Sequence, residues 1–229
     1  MSSAFILYHY PISPFSRKVR LVLAEKKFEF SLREERYWER RQDYIKINPT
    51  GKVPALIDSH KNVFADSNAI CEYLISIASD DTVPLIPEDP VEQCEMRRVI
   101  AYFDETFYQE VTKILLFERM LRRIQKKKYT DEKMIRTGSQ NLRRHIKYLG
   151  HLVENRNWVA GNRMSLADFA VAAQLSCLDY VDDIEWESES LEGIKNWYSA
   201  LKSRPAFLPL LSDHVPGYIP PRHYAQIDF

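Results

Sequence analysis

Only three cysteines occur in 229 residues, Cys71, Cys94 and Cys177, and they share neither a metal-ligand nor a redox spacing. No metal site is expected from them, and buried free thiols are the simplest reading. Charge of one sign is missing as well. Thirty-two basic and 32 acidic residues give a net charge of zero, which argues against a general nucleic-acid or anionic-membrane binder. No apolar run approaches the ~18 residues of a membrane span. Met1-Ser2-Ser3-Ala4 lacks the basic and apolar regions of a secretory leader. Together with the unpaired thiols this makes the cytoplasm the expected compartment. No internal repeat or low-complexity tract interrupts the chain. Hydrophobic residues make up 45%, enough for the core of one large or two smaller domains.

Periodicity changes character near residue 80. Before it, strand and helix signals alternate: strands at 4–8, 28–33, 53–58 and 62–64, helices at 16–27 and 67–77, and a polar loop or short helix at 38–47. The Asp58-Ser59-His60-Lys61 link suggests an antiparallel hairpin. Residues 79–90 are polar with Pro84, Pro87 and Pro90, and read as a linker whose last proline opens the next helix. After it only helical patterns follow, at 91–117 continuing to 129, then 131–156, 165–180 and 191–203. The expected organisation is an α/β domain over 1–80, a linker over 81–90, an all-α domain over 91–211 and a tail over 212–229.

Three segments carry chemistry. In the first, a short strand runs into Tyr10-Pro11-Ile12-Ser13-Pro14-Phe15-Ser16 and then a helix. A helix start offers unpaired N–H groups and partial positive charge, which favour an anion such as a thiolate. A hydroxyl donating to that sulfur favours the thiolate further. Ser13 is placed to do this, or to act only as a helix cap. The second is Asn48-Pro49-Thr50-Gly51-Lys52-Val53-Pro54. Proline at the entrance of a core strand removes a ladder hydrogen bond. A cis Val53–Pro54 bond would turn the Val53 N–H and C=O toward an extended peptide ligand; an ordinary edge-strand proline is the alternative. In the third, Asp66 and Ser67 open a helix. They can hold an α-amino acid head group, with N–H and hydroxyl to carboxylate and Asp66 to ammonium, or simply cap the helix.

In thioredoxin-like folds the first turn carries Cys-Pro-x-Cys; here Ser13 and Ser16 stand at both cysteine positions. That suits binding glutathione rather than cycling a disulfide. The three segments in this order resemble the cytosolic glutathione transferase superfamily, serine type. The likeness extends through Leu85-Ile86-Pro87-Glu88-Asp89-Pro90 to Trp158–Phe169, where Ser165 and Asp168 read as a capping box. It implies a thioredoxin-like α/β N-terminal domain, an all-α C-terminal domain and a homodimer. By the same resemblance, Ser13 meets the glutathione sulfur, Val53 beside Pro54 the cysteinyl backbone, and Asp66 and Ser67 the γ-glutamyl group. Lys52, Arg40 and Arg41 are candidates for the glycyl carboxylate. Tyr102, Phe103 and Tyr108 are the expected wall of the apolar half-site for a small electrophile, in a cleft between the domains. Tyr8 and Tyr10 are alternative catalysts, but the Ser-Pro-Phe-Ser motif favours Ser13.

Some features depart from that pattern. Asp66 stands where many members have Glu or Gln, and Asn68 where a small or apolar residue is frequent. Tyr37-Trp38-Glu39-Arg40-Arg41 places an aromatic pair in a charged segment, and Trp and Arg are favoured interface anchors. The tail ends Tyr224-Ala225-Gln226-Ile227-Asp228-Phe229 and either folds over the cleft or presents an aromatic and acidic surface. Trp38 and this tail resemble a subset of the superfamily, the glutathione-transferase-like cell-division proteins of alphaproteobacteria that bind FtsZ polymers. That resemblance implies partner contacts at Trp38, Tyr224, Asp228 and Phe229, with turnover of glutathione left open. The basic run Arg119, Arg122, Arg123, Lys126, Lys127 and Lys128 reads as a solvated helix face offset by nearby acids.

Overall fold

The computed structural model describes residues 4–127 and 129–227. They form two units. Residues 4–85 with 205–213 make the first, and residues 86–127, 129–204 and 214–227 the second. Residues 205–211, expected in the helical domain, and 212–213, expected in the tail, thus pack with the α/β unit, while 214–227 pack with the helical one.

The first unit is a four-stranded mixed sheet in the order β2-β1-β3-β4. β1 (Phe5–His9) runs parallel to β2 (Phe30–Glu34) and antiparallel to β3 (Ala55–Asp58), which pairs antiparallel with β4 (Val63–Ala65). Helix α1 (Pro14–Glu25) makes the crossover between β1 and β2, and buries Val19, Val22 and Leu23. It starts two residues earlier than the periodicity suggests, because Ser13 caps it and Pro14 fits its first turn. β2 starts later than residue 28 because the Phe28 N–H closes the end of α1 on the Leu23 carbonyl at 2.9 Å, with Lys27 left-handed at φ 58°. β3 begins only after Pro54, which has no N–H for the ladder. Of the loop or short helix expected at 38–47, the structure builds a 3₁₀ turn (Tyr37–Glu39) and the short helix α2 (Gln42–Ile47), and α3 (Ser67–Ser76) follows β4. Leu7, Leu56, Ile70, Cys71 and Leu74 complete this core.

In the second unit α4 (Pro90–Ala101) continues through a π-helical stretch (Tyr102–Thr112), α5 (Lys113–Leu116), a second π-helical stretch (Phe117–Leu121) and α6 (Arg122–Ile124). The run stops there rather than at 129, since Lys126 turns left-handed at φ 57°. Then come α7 (Glu132–Glu154), α8 (Leu166–Tyr180) and α9 (Glu192–Lys202), with the short α10 (Leu208–Leu211) in the first unit. All of α8 is buried, as its near-uniform apolar character requires. Its start is the expected capping box. Asp168 accepts from Ser165 N (2.8 Å), Val159 N (3.0 Å) and the Trp197 indole (3.0 Å). Cys71 and Cys177 are buried thiols, but Cys94 is exposed on α4, contrary to expectation. Among the described residues no helix is long and apolar enough to cross a membrane.

Candidate functional site

Strand register gathers the three motif segments at one end of the sheet. Tyr8 pairs with Ala55, and Ala55 with Ala65. The exit of β1 toward Ser13, the entrance of β3 at Val53–Pro54, and the exit of β4 toward Asp66 therefore lie side by side. β2 leaves at the same end. His9 pairs with Glu34, and the Glu35 N–H donates to the His9 carbonyl at 2.8 Å. Tyr37 and Trp38 follow from there.

Ser13 is 8% exposed. Its hydroxyl accepts the Ser16 N–H at 3.3 Å as the N-cap of α1. The turn before it is pinned from the helix, since Arg17 Nε donates to the Pro11 carbonyl at 2.8 Å. Arg17 and Arg20 both reach Asp213, at 3.3 and 2.7 Å. Lys18 Nζ donates to Asn68 Oδ1 at 2.7 Å, tying the start of α1 to the start of α3. Asp213 thus offsets part of the positive charge that Arg17, Lys18 and Arg20 bring to the first two turns of α1. Burial and the Arg20 charge hold His9 down at about 4, so this residue adds no positive charge at neutral pH.

The Val53–Pro54 bond is cis. Tyr44 Oη (2.6 Å) and Asn48 Nδ2 (2.7 Å) both donate to the Lys52 carbonyl and hold the approach to it. Burial pushes the Tyr44 phenol up to about 12, so it remains a donor. Among the described residues the Val53 backbone makes no hydrogen bond. Asp66 caps α3, accepting from Asn68 N at 2.8 Å and Ala69 N at 3.1 Å. It does so at φ 74°, a strained setting for a non-glycine residue of the kind that collects at ligand sites. Ser67 beside it is buried. Of the three candidate cations, Arg41 is taken by the buried Glu35 at 2.6 Å. Arg40 lies over Gly51, its Nη1 3.2 Å from where a Cβ would stand. Lys52 is exposed.

Tyr8 is engaged by Arg33 at 3.1 Å, and Tyr10 is buried. Trp38 is half-buried, edge-on to Tyr10 (4.8 Å) and Tyr37 (5.1 Å). It is thus packed on its own domain while part of its surface stays open. In the helical unit, Tyr102 Oη lies 2.6 Å from His145 Nδ1, whose Nε2 lies 2.9 Å from Glu110. Tyr108 is half-exposed. Phe103, expected on an open wall, is a core residue at 0% exposure against Phe107. Tyr224, expected on a partner surface, is likewise fully buried, edge-on to Tyr180 at 5.0 Å. Its aromatic ring gains more from the core than from solvent. Asp228, Phe229 and Lys128 lie outside the described residues. The basic run is partly neutralised, by Asp183 on Arg119 (2.8 Å) and Glu118 on Arg122 (2.6 Å). Among the described residues no His, Cys, Asp and Glu cluster could hold a metal ion. Arg17, Lys18, Arg20 and Tyr44 were not singled out from the sequence, where nothing marks a cation or tyrosine as buried.

A thioredoxin-like unit with a capped serine turn, a cis-proline and an acidic helix cap at one sheet end, followed by a helical unit, defines a known class. The family models for the N-terminal and C-terminal domains of glutathione S-transferase match residues 7–84 and 95–205, and the chain belongs to that family. Within it the chain is 40% identical to FtsZ-localized protein A of Caulobacter vibrioides, over 100% of both chains. The solved structure of FzlA from C. crescentus superposes with a TM-score of 0.93, covering 98% of this chain and 99% of that one at 40% identity. A glutathione S-transferase from Rhodospirillum rubrum F11 does so equally well, with a TM-score of 0.93 and 38% identity over 98% of this chain and 100% of that one.

Proposed function

We propose that this chain is a glutathione-transferase-like interaction protein that binds FtsZ polymers in bacterial cell division. Trp38 and the end of the tail, Asp228 and Phe229, are its contact residues. The observation that carries this reading is the end-to-end 40% identity with a relative named for its localization with FtsZ. The partly open Trp38 supports it, as a large amphipathic ring beside charged neighbours suits an interface anchor. The protein acts as a cytoplasmic homodimer on this reading, and light scattering at twice the monomer mass checks that point. Co-sedimentation with FtsZ polymers tests the main one. The full chain should pellet with polymer and Trp38→Ala should remain in the supernatant. Equal pelleting of the two removes Trp38 as a contact, and pelleting by neither overturns the reading.

A second reading is favoured by the sheet-end geometry. The Ser13 turn, Val53, Pro54, Asp66 and Ser67 form a glutathione-type site, with Lys52 and Arg40 on the loop suited to the glycyl carboxylate. Glutathione would enter as ligand or substrate. As an enzyme, Ser13 would hold the thiolate, which attacks a small electrophile as a carbon–sulfur bond forms and the leaving group departs. Calorimetric titration with glutathione, followed by an electrophile screen, tests it. No heat of binding removes this reading without touching the first.

A further inference from the structure

Among the described residues, 214–227 meet the helical unit through side chains around Tyr180 and around Lys202. At the first, the Val215 N–H donates to Tyr180 Oη at 3.0 Å, and Tyr218 stacks on the Tyr180 ring at 5.6 Å. At the second, Tyr224 is buried against the same ring, with the Lys202 ammonium 5.9 Å from its centroid. Lys202 Nζ also donates to the His223 carbonyl at 3.3 Å. His223 Nε2 lies 3.1 Å from Asp179, and Asp179 also receives the Trp186 indole (2.8 Å), the Tyr198 hydroxyl (3.3 Å) and Lys202 (3.5 Å). Asp179 and Lys202 are both fully buried.

Between and beyond these points the segment faces outward. Ile219 is 88% exposed, and Arg222, Ala225 and Gln226 are exposed. The backbone hydrogen bonds here are local turns: Tyr218 N to Val215 O, Tyr224 N to Pro221 O and Gln226 N to His223 O. Gly217 sits at φ +84°, and Pro216, Pro220 and Pro221 break any regular ladder. A segment held by a few side chains and no ladder belongs to the low-stability end of a structure and opens as a local unit. Departure of His223 leaves Asp179 still paired with Lys202, so opening strands no single buried charge.

We propose that residues 214–227 form a strap that seats and unseats as one unit on a socket of Asp179, Tyr180 and Lys202. His223 and Tyr224 are its positioning residues, and seating fixes the direction in which the tail meets its partner. The last clause rests on the FtsZ-binding reading above. The seat itself is independent of it.

Trypsin cleavage after Arg222 reads the seat directly, because a protease needs several extended residues on each side and the buried Tyr224 denies them. The full chain, Tyr224→Ala and Tyr224→Phe are digested, release of peptide 223–229 is followed by mass spectrometry, and each is then pelleted with FtsZ polymers. Removing the buried ring should raise the release rate on the order of 100-fold. Tyr224→Phe should return it to near the wild-type rate, with cuts inside α7 and α9 unchanged throughout. Pelleting should fall in Tyr224→Ala and recover in Tyr224→Phe. Unchanged release in Tyr224→Ala overturns the strap, as does a parallel rise in cutting everywhere, which would mean global unfolding. Faster release with full pelleting overturns the positioning role alone. Failure of the wild-type chain to pellet overturns the FtsZ reading and with it the positioning clause, while the release rates still decide the seat.

Discussion

Ser13 uses its hydroxyl oxygen to cap α1, accepting the Ser16 N–H, and the same group is the candidate donor to a glutathione sulfur. Ser13→Ala should therefore cost about 1 kcal/mol of stability from the lost cap, read as a lower urea midpoint, and remove any conjugation activity. His9 makes a separate, pH-dependent contribution. Burial and then Arg20 lower it from 6.5 to about 4. The folded state binds fewer protons than the unfolded one between those values, so stability rises with pH there. This contribution is fully present above pH 6.5 and is lost as pH falls toward 4, to a total of about 3 kcal/mol. Urea unfolding at pH 7.5 and 4.5 should show that loss, and His9→Gln should flatten it. The caps at Ser13 and Asp66 were legible because each sits at a helix start. Arg17 and Asp213 were not, because their contact spans 196 positions of sequence and nothing local marks it.

At the scale of elements, the capping box of α8 was the clearest signal and the structure builds it as written. Asp168 serves four groups from three places in the helical unit: Ser165 N and Oγ, Val159 N and the Trp197 indole. Asp168→Asn puts an amide donor against at least one of those donors. Thermal unfolding should show a loss of about 2–4 kcal/mol, while the sheet-end site, built in the other unit, should keep its ligand affinity. Element boundaries were less legible where a chain reversal uses left-handed residues other than glycine. Lys27 and Lys126 end helices at φ 58° and 57°, and lysine carries no turn signal in a sequence.

For the whole molecule, the order of strands and helices could be read from periodicity, and the domain change from the proline-rich stretch before residue 90. The return of residues 205–213 to the first unit could not, since it depends on Arg17 and Arg20 meeting Asp213. Nor could the inward turn of Tyr224, because an aromatic near a chain end fits a core and an interface equally. On the proposed reading, glutathione contact belongs to the Ser13 turn and partner contact to Trp38, so the two duties rest on different side chains. Co-sedimentation of Ser13→Ala and Trp38→Ala beside the wild-type chain with FtsZ polymers tests that separation most directly. Ser13→Ala should pellet like wild type and Trp38→Ala should not. Loss of pelleting in Ser13→Ala with Trp38→Ala unaffected would contradict it.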